Sequence, residues 1–150
     1  MKVQECMTKK VELASPQMTL KEAAQKMREG DFGFMPIGEN DKLVGVITDR
    51  DIAIRAVARG LDPSSAKVKE VCSNDVLYCF DDQTVEDVAH NMGDNQIRRL
   101  PVLNRQKRMV GVVSLGDLAK SANSAKDNVE DALCQISKPG HRETATRTLM

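Results

Sequence analysis

One arrangement of apolar and polar positions is written twice along this chain. Val3, Glu5, Val11, Thr19, Ala24, Met27 and Pro36 return at a constant spacing as Val68, Glu70, Val76, Thr84, Ala89, Met92 and Pro101. One residue later, Val44-Gly45-Val46 and Asp51 return as Val110-Gly111-Val112 and Asp117. A duplication of this extent predicts two copies of one supersecondary unit, neither burying its apolar face alone. The repeats divide the chain into 1–60, 61–123 and a remainder of 124–150. Function is expected where the copies meet.

Within each copy the order of elements is the same. A short leader (Val3–Thr8; Val68–Ser73) precedes a brief extended segment near Val11–Ala14 or Val76–Cys79. A helix follows, with Leu20, Ala23, Ala24 and Met27 in one copy and Val85, Val88, Ala89 and Met92 in the other. These are the i, i+3, i+4, i+7 positions of an amphipathic helix. Thr19-x-x-Glu22 and Thr84-x-x-Asp87 supply its N-terminal capping signature. Two strands come next, Phe34–Ile37 with Leu43–Thr48 and Arg99–Leu103 with Met109–Ser114, joined by turn-forming residues. Pro36 and Pro101 inside the first strand of each pair predict that this strand lies at an edge or starts late. A final helix is expected over Arg50–Arg59, stopped by Gly60, and over Gly116–Ser121.

Beyond the repeats, Ser124–Ser137 predicts a short helix with Val129, Ala132, Leu133 and Ile136 on one face, ended by Pro139-Gly140. That face has no counterpart in the first copy and either packs on its own domain or covers a partner subunit. The last ten residues are polar without a period, and mobility is expected there.

Composition narrows the chemistry. With no Trp, one Tyr and three Phe, the core must be aliphatic. The 22 basic and 22 acidic residues cancel, so no overall field favours a polyanion, which argues against non-specific nucleic-acid binding. No apolar run reaches the roughly 20 residues of a membrane span, and the start lacks a signal-peptide pattern; a cytoplasmic protein is expected. The four Cys (6, 72, 79, 134) show no C-x-x-C spacing and only two His are present, so buried reduced thiols are expected rather than zinc. His90 and His141 have no nucleophile at motif spacing, and no hydrolase, zincin or phosphate-loop motif occurs. The chain is expected not to be an enzyme.

The informative segments are the two strand-to-helix junctions, Gly45-Val46-Ile47-Thr48-Asp49-Arg50-Asp51 and Gly111-Val112-Val113-Ser114-Leu115-Gly116-Asp117. A helix start there would expose N–H groups to a phosphate, the glycine would admit close backbone approach, and Asp51 or Asp117 could accept ribose hydroxyls. Thr48-x-x-Asp51 and Ser114-x-x-Asp117 are equally plain capping boxes that need no ligand. Arg98-Arg99 enters the Pro101 strand, either as a solvated pair or as paired donors for an anion. Gly33 and Phe34 stand at the matching places, with Arg50 the nearest cation, so two inequivalent clefts are expected.

The doubled G-h-x-[S/T]-x-x-D junctions, with Met35-Pro36-Ile37 and Leu100-Pro101-Val102 on the strands before them, resemble tandem CBS domains over residues 3–122. The likeness extends to small stand-alone bacterial pairs of the hypoxic-response type. The resemblance implies an α/β (α+β) fold of β-α-β-β-α units in a pseudo-twofold pair, or Bateman module, commonly forming a homodimer. It implies binding of AMP, ADP, ATP or an S-adenosyl compound such as S-adenosylmethionine, with no cofactor required. By the same likeness Asp51 and Asp117 would hold ribose, Thr48 and Ser114 would approach phosphate, and Arg98 and Arg99 match phosphate-binding positions; Arg50, the nearest cation in the first cleft, is a further ligand-binding candidate. Backbone near Thr8, Val11, Ser73, Val76, Pro36 and Pro101 would enclose adenine. The output of such a sensor would pass to another protein. Two other readings stay open at this point: a ligand-free dimerisation scaffold, and a weak nucleic-acid binder using Arg98, Arg99, Arg105, Lys107 and Arg108.

Overall fold

A computed structural model describes residues 1–121 and 126–138. The expected helix start at Ser124, its stop at Pro139-Gly140, His141 and the polar tail lie outside the described residues. Among the described residues the chain folds as two compact units, one running from Glu12 to Val76 and the other combining Met1–Val11 with those from Leu77 to Lys138.

The Glu12–Val76 unit holds helix α1 (Leu20–Gly30), strands β1 (Phe34–Glu39) and β2 (Lys42–Thr48), and a helix α2 that opens at Asp49–Asp51. From Ile52–Val57 the last helix widens to π geometry, with the Ala58 N–H donating to the Ala53 carbonyl at 3.1 Å. Thr19 caps α1: its hydroxyl accepts from the Glu22 N–H at 3.2 Å, and the Glu22 carboxylate accepts from the Thr19 N–H at 3.4 Å. β1 and β2 form an antiparallel hairpin closed at Asn40-Asp41, both at positive φ (55° and 61°), the left-handed pair of a type I′ turn. Leu20, Met27, Met35, Ile37, Ile47 and Val68 centre its core.

The other unit contains β3 (Cys79–Phe80), α3 (Val85–Asn95), β4 (Arg99–Leu103), β5 (Met109–Ser114), α4 (Leu115–Ser121) and α5 (Lys126–Ile136). Its strand order is β3-β4-β5, with β3 parallel and β5 antiparallel to β4. Pro36 lies on β1, an edge strand of the β1-β2 sheet as expected, whereas Pro101 lies on the central strand β4, which corrects the edge alternative there. It is tolerated because β3 meets β4 only at Val102 and Leu103, one residue beyond the proline. In the Glu12–Val76 unit, Ala14 alone plays the part of β3: it bridges β1 at Ile37, its N–H donating to the Pro36 carbonyl at 2.9 Å.

Each leader completes the other copy. Val3 belongs to the core of Val85, Met92, Val102 and Leu118, and its N–H donates to the Gln83 carbonyl at 2.9 Å. Thr8 pairs with Val112 through two backbone bonds of 2.9 and 3.0 Å. In the same way Val68 enters the core of Leu20 and Ile47, and Ser73 pairs with Val46. The contiguous sequence copies are thus not the units in space; the chain passes from one unit to the other after Val11 and after Val76.

The two amphipathic helices also differ. On α3, Ala89 and Gly93 are buried along with Val85, Val88 and Met92, whereas their counterparts on α1, Ala24 and Arg28, are exposed. The cause is α5, which packs on α3. The Ala132 Cα lies 3.0 Å from the point where a Gly93 Cβ would sit, and the Gln96 side-chain amide donates to the Gln135 carbonyl at 3.0 Å. Arginine at the Gly93 position would close that seat. Among the described residues no helix is long and apolar enough to cross a membrane.

Candidate functional site

The junction after β5 gathers several of the expected residues in one unit. Ser114 and Asp117 cap one another: the Asp117 carboxylate accepts from the Ser114 N–H at 2.9 Å, and the Ser114 hydroxyl accepts from the Asp117 N–H at 3.0 Å. Both are half-buried. Arg98 and Arg99 stand exposed at the start of β4, tied to the junction where the Leu115 N–H donates to the Arg98 carbonyl at 2.8 Å. An open groove of about 400 Å³ runs here, lined by Arg98, Arg99, Ser114 and Gly116 together with Val129 and Leu133 of α5. Neither Asp117, Thr8, Val11 nor Pro101 lines it. Thr8 lies beside Val112 on β5, Val11 is half-buried and Pro101 is buried within β4.

The junction after β2 is built alike and filled differently. Thr48 and Asp51 form the same reciprocal cap at 2.9 and 3.0 Å. Here Asp51 is 0% exposed, and the Arg55 Nε lies 3.8 Å from its Oδ1. A ribose could reach Asp51 only if this junction opened. In the second copy Ser121 stands at the place of Arg55, its hydroxyl donating to the Asp117 carbonyl at 2.7 Å. Arg55 is a cation beside the enclosed carboxylate; the signal for it, Arg against Ser in the repeat, is visible in the sequence.

Charge differs too. Where the second copy carries Arg98 and Leu115, the first carries Gly33 and Asp49. The Asp49 carboxylate occupies the space a side chain on Gly33 would need, and the Asp49 N–H donates to the Gly33 carbonyl at 2.9 Å. The corner that is basic after β5 is acidic after β2, with Arg50 exposed beside it. Arginine where the other copy has glycine, and aspartate where the other has leucine, make the two junctions inequivalent for an anion.

The junction glycines serve the leaders rather than an open cleft. The Ser73 carbonyl fills the space a Gly45 side chain would need, and the Thr8 carbonyl and Met7 sulfur fill that of Gly111. Ser73 is buried and Pro36 lies within β1, while Val76 is half-buried at the end of its unit. Thr8 thus joins Ser114 and Asp117 in one unit, and Ser73 joins Thr48 and Asp51 in the other.

Other features are accounted for locally. Arg105 holds Asp82 through two contacts of 2.8 Å and lies 4.2 Å above the Phe80 ring. The thiols of Cys6, Cys72 and Cys79 are pushed up by burial, Cys79 to about 12. Cys134, expected to be buried, is exposed on α5 because Ala132 and Ile136 take the inner face. No group of three His, Cys, Asp or Glu side chains among the described residues is placed to hold a metal.

Comparison with known proteins agrees with this architecture. The CBS domain family model matches residues 3–57 and 68–124. The CBS domain-containing protein YhcV of Bacillus subtilis is 40% identical over 133 residues, 85% of this chain and 94% of its own. Hypoxic response protein 1 of Mycobacterium tuberculosis is 41% identical over 103 residues, 68% of this chain and 71% of its own. A crystal structure of Hypoxic Response Protein I with two coordinated zinc ions superposes with a TM-score of 0.74 at 36% identity, covering 81% of this chain and 99% of that one. The CBS domain pair of MJ0100, solved with 5′-methylthioadenosine and S-adenosyl-L-methionine, gives 0.71 at 28% identity, covering 80% and 94%. The doubled junctions, the hairpins and their helices, matched by one family model in each copy, establish that this chain belongs to the CBS domain family as a tandem pair.

Proposed function

We propose that this CBS pair is a non-catalytic sensor that takes an adenosine-derived ligand at the junction after β5. The observation that carries the reading is the groove of about 400 Å³ lined by Arg98, Arg99 and Ser114, with the half-buried Asp117 capping the helix that starts there. Two guanidinium groups and a hydroxyl suit an anionic group such as phosphate, and an aspartate on the same helix suits ribose hydroxyls. AMP, ADP, ATP and S-adenosylmethionine are the candidates, and the MJ0100 pair with its bound adenosyl compounds supports the choice. The junction after β2, with Asp51 enclosed and Asp49 adding negative charge, is the weaker of the two for such ligands.

The working form is a homodimer in the cytoplasm that signals to a separate protein. Unit surfaces support association: Ile54 and Val57 are exposed on the last helix of the Glu12–Val76 unit, Val57 at 67%. Their counterparts in the second copy are the polar Lys120 and Asn123. A second copy of the chain would cover apolar surface that water otherwise faces.

A ligand-free scaffold is the second reading, favoured by the capping boxes, which already satisfy the junction carboxylates from their own backbone. A thermal-shift panel separates the two. AMP, ADP, ATP, S-adenosylmethionine and a short oligonucleotide are compared on the full chain and on Asp117→Ala. A nucleotide at about 100-fold its dissociation constant should add about 2.7 kcal/mol of stability, and less to the variant. No shift with any compound leaves the scaffold. Sedimentation with and without ligand tests the dimer.

A further inference from the structure

α5 has no counterpart in the first copy, yet it forms part of the groove: Val129 and Leu133 line it together with Arg98, Arg99, Ser114 and Gly116. We propose that α5 is the element through which occupancy of this groove is read, a ligand there fastening the helix to its unit. The inference rests on the groove reading above and adds how binding is transmitted.

α5 is seated on α3. Only Ala132 and Ile136 are buried on it, its close approach depends on Gly93, and one side-chain amide, Gln96, reaches its backbone at Gln135. Eleven residues are too few for a helix to persist unsupported in water. The helical state of α5 therefore depends on its staying docked on its own unit. Leu133, 49% exposed, presents an apolar surface to the groove. A ligand whose anion sits on the arginines and whose apolar body meets Val129 and Leu133 touches α5 only when the helix is docked. It must then favour the docked state, and by reciprocity docking must raise affinity for the ligand. The exposed outer face of α5 thereby becomes a surface whose order depends on occupancy.

Hydrogen exchange on the full chain, with AMP, ATP or S-adenosylmethionine at saturation, tests this. Amides of Lys126–Ile136 should exchange several-fold more slowly with a ligand that binds. Leu133→Ala should weaken binding about five-fold, the loss expected for part of a leucine's burial. Gln96→Ala, which is outside the groove lining, should speed exchange in α5 and also lower affinity, with the rest of the fold unchanged. A ligand that binds without slowing α5, or that binds both variants as it binds the wild type, overturns the proposal and leaves the groove reading standing. If none of the three compounds binds, both fall together.

Discussion

Thr8 and Val112 exchange both of their backbone hydrogen bonds, at 2.9 and 3.0 Å, across most of the length of the chain. The leader of the first copy is thereby a structural part of the second, with Val3 wholly enclosed among its core residues. Val3→Ala should cost about 2 kcal/mol through lost burial and the cavity left behind. Native-state hydrogen exchange should show the loosening in α3 and β5, not in α1 or the β1–β2 hairpin. Val68→Ala should give the reverse pattern. If Val3→Ala loosened α1 first, the exchanged leaders would be the wrong picture.

The two junction aspartates should be unequal in urea denaturation. Asp117→Ala removes a half-exposed cap and should cost about 1 kcal/mol. Asp51→Ala leaves the buried Thr48 N–H without its acceptor and Arg55 without its carboxylate, and should cost about 3 kcal/mol. Equal losses would mean that the enclosure of Asp51 is energetically idle.

Arg98 and Arg99 should carry anion binding. Replacing either with Ala is expected to lower nucleotide affinity about ten-fold, the worth of one charge-assisted hydrogen bond. The loss should shrink as salt is raised, because both side chains are exposed. Titration calorimetry at two ionic strengths reads both effects. Arg50→Ala, at the acidic junction, should leave the affinity near that of the wild type.

Thiol chemistry should rank the cysteines. Cys134, exposed on α5, should react first with a disulfide reagent at pH 8, and Cys79 only on unfolding. Burial pushes the Cys79 thiol up to about 12, against about 8.5 in an unfolded chain. Between those values the unfolded state binds fewer protons than the folded one, so stability falls as pH rises, by at most about 1.4 kcal/mol per pH unit. Below pH 8 this contribution is fully present. Cys79→Ala should flatten that part of the alkaline slope in denaturant titrations.

Local pattern made the repeated elements readable in advance. Leu20, Ala23 and Met27 follow helical spacing, Thr19 and Thr84 cap as their neighbours require, and Asn40-Asp41 supplies the left-handed turn. The exchange of leaders was not readable, because Val3 and Val68 carry the same pattern and either core would accept either one. Pro101 misled for a related reason: whether a strand is central depends on where its neighbour begins, and β3 begins one residue past the proline. The inequality of the junctions was half visible in Arg98-Arg99. The other half lay in paired differences, Gly33 with Asp49 and Arg55 against Ser121, whose meaning appears only when side chains are placed. Gly93 opposite Arg28 likewise marked the seat of α5, but only as one small residue among many.

Crossed leaders have an implication for how such a chain arose. A single ancestral repeat would carry an arm suited to a core other than its own, and could shelter that core only by trading arms with a twin. Fusing two such repeats end to end turns a bargain between molecules into one within a molecule, and frees each half to diverge without losing its fit. The arginine pair kept by one half and the sealed aspartate of the other are the divergence that such freedom permits.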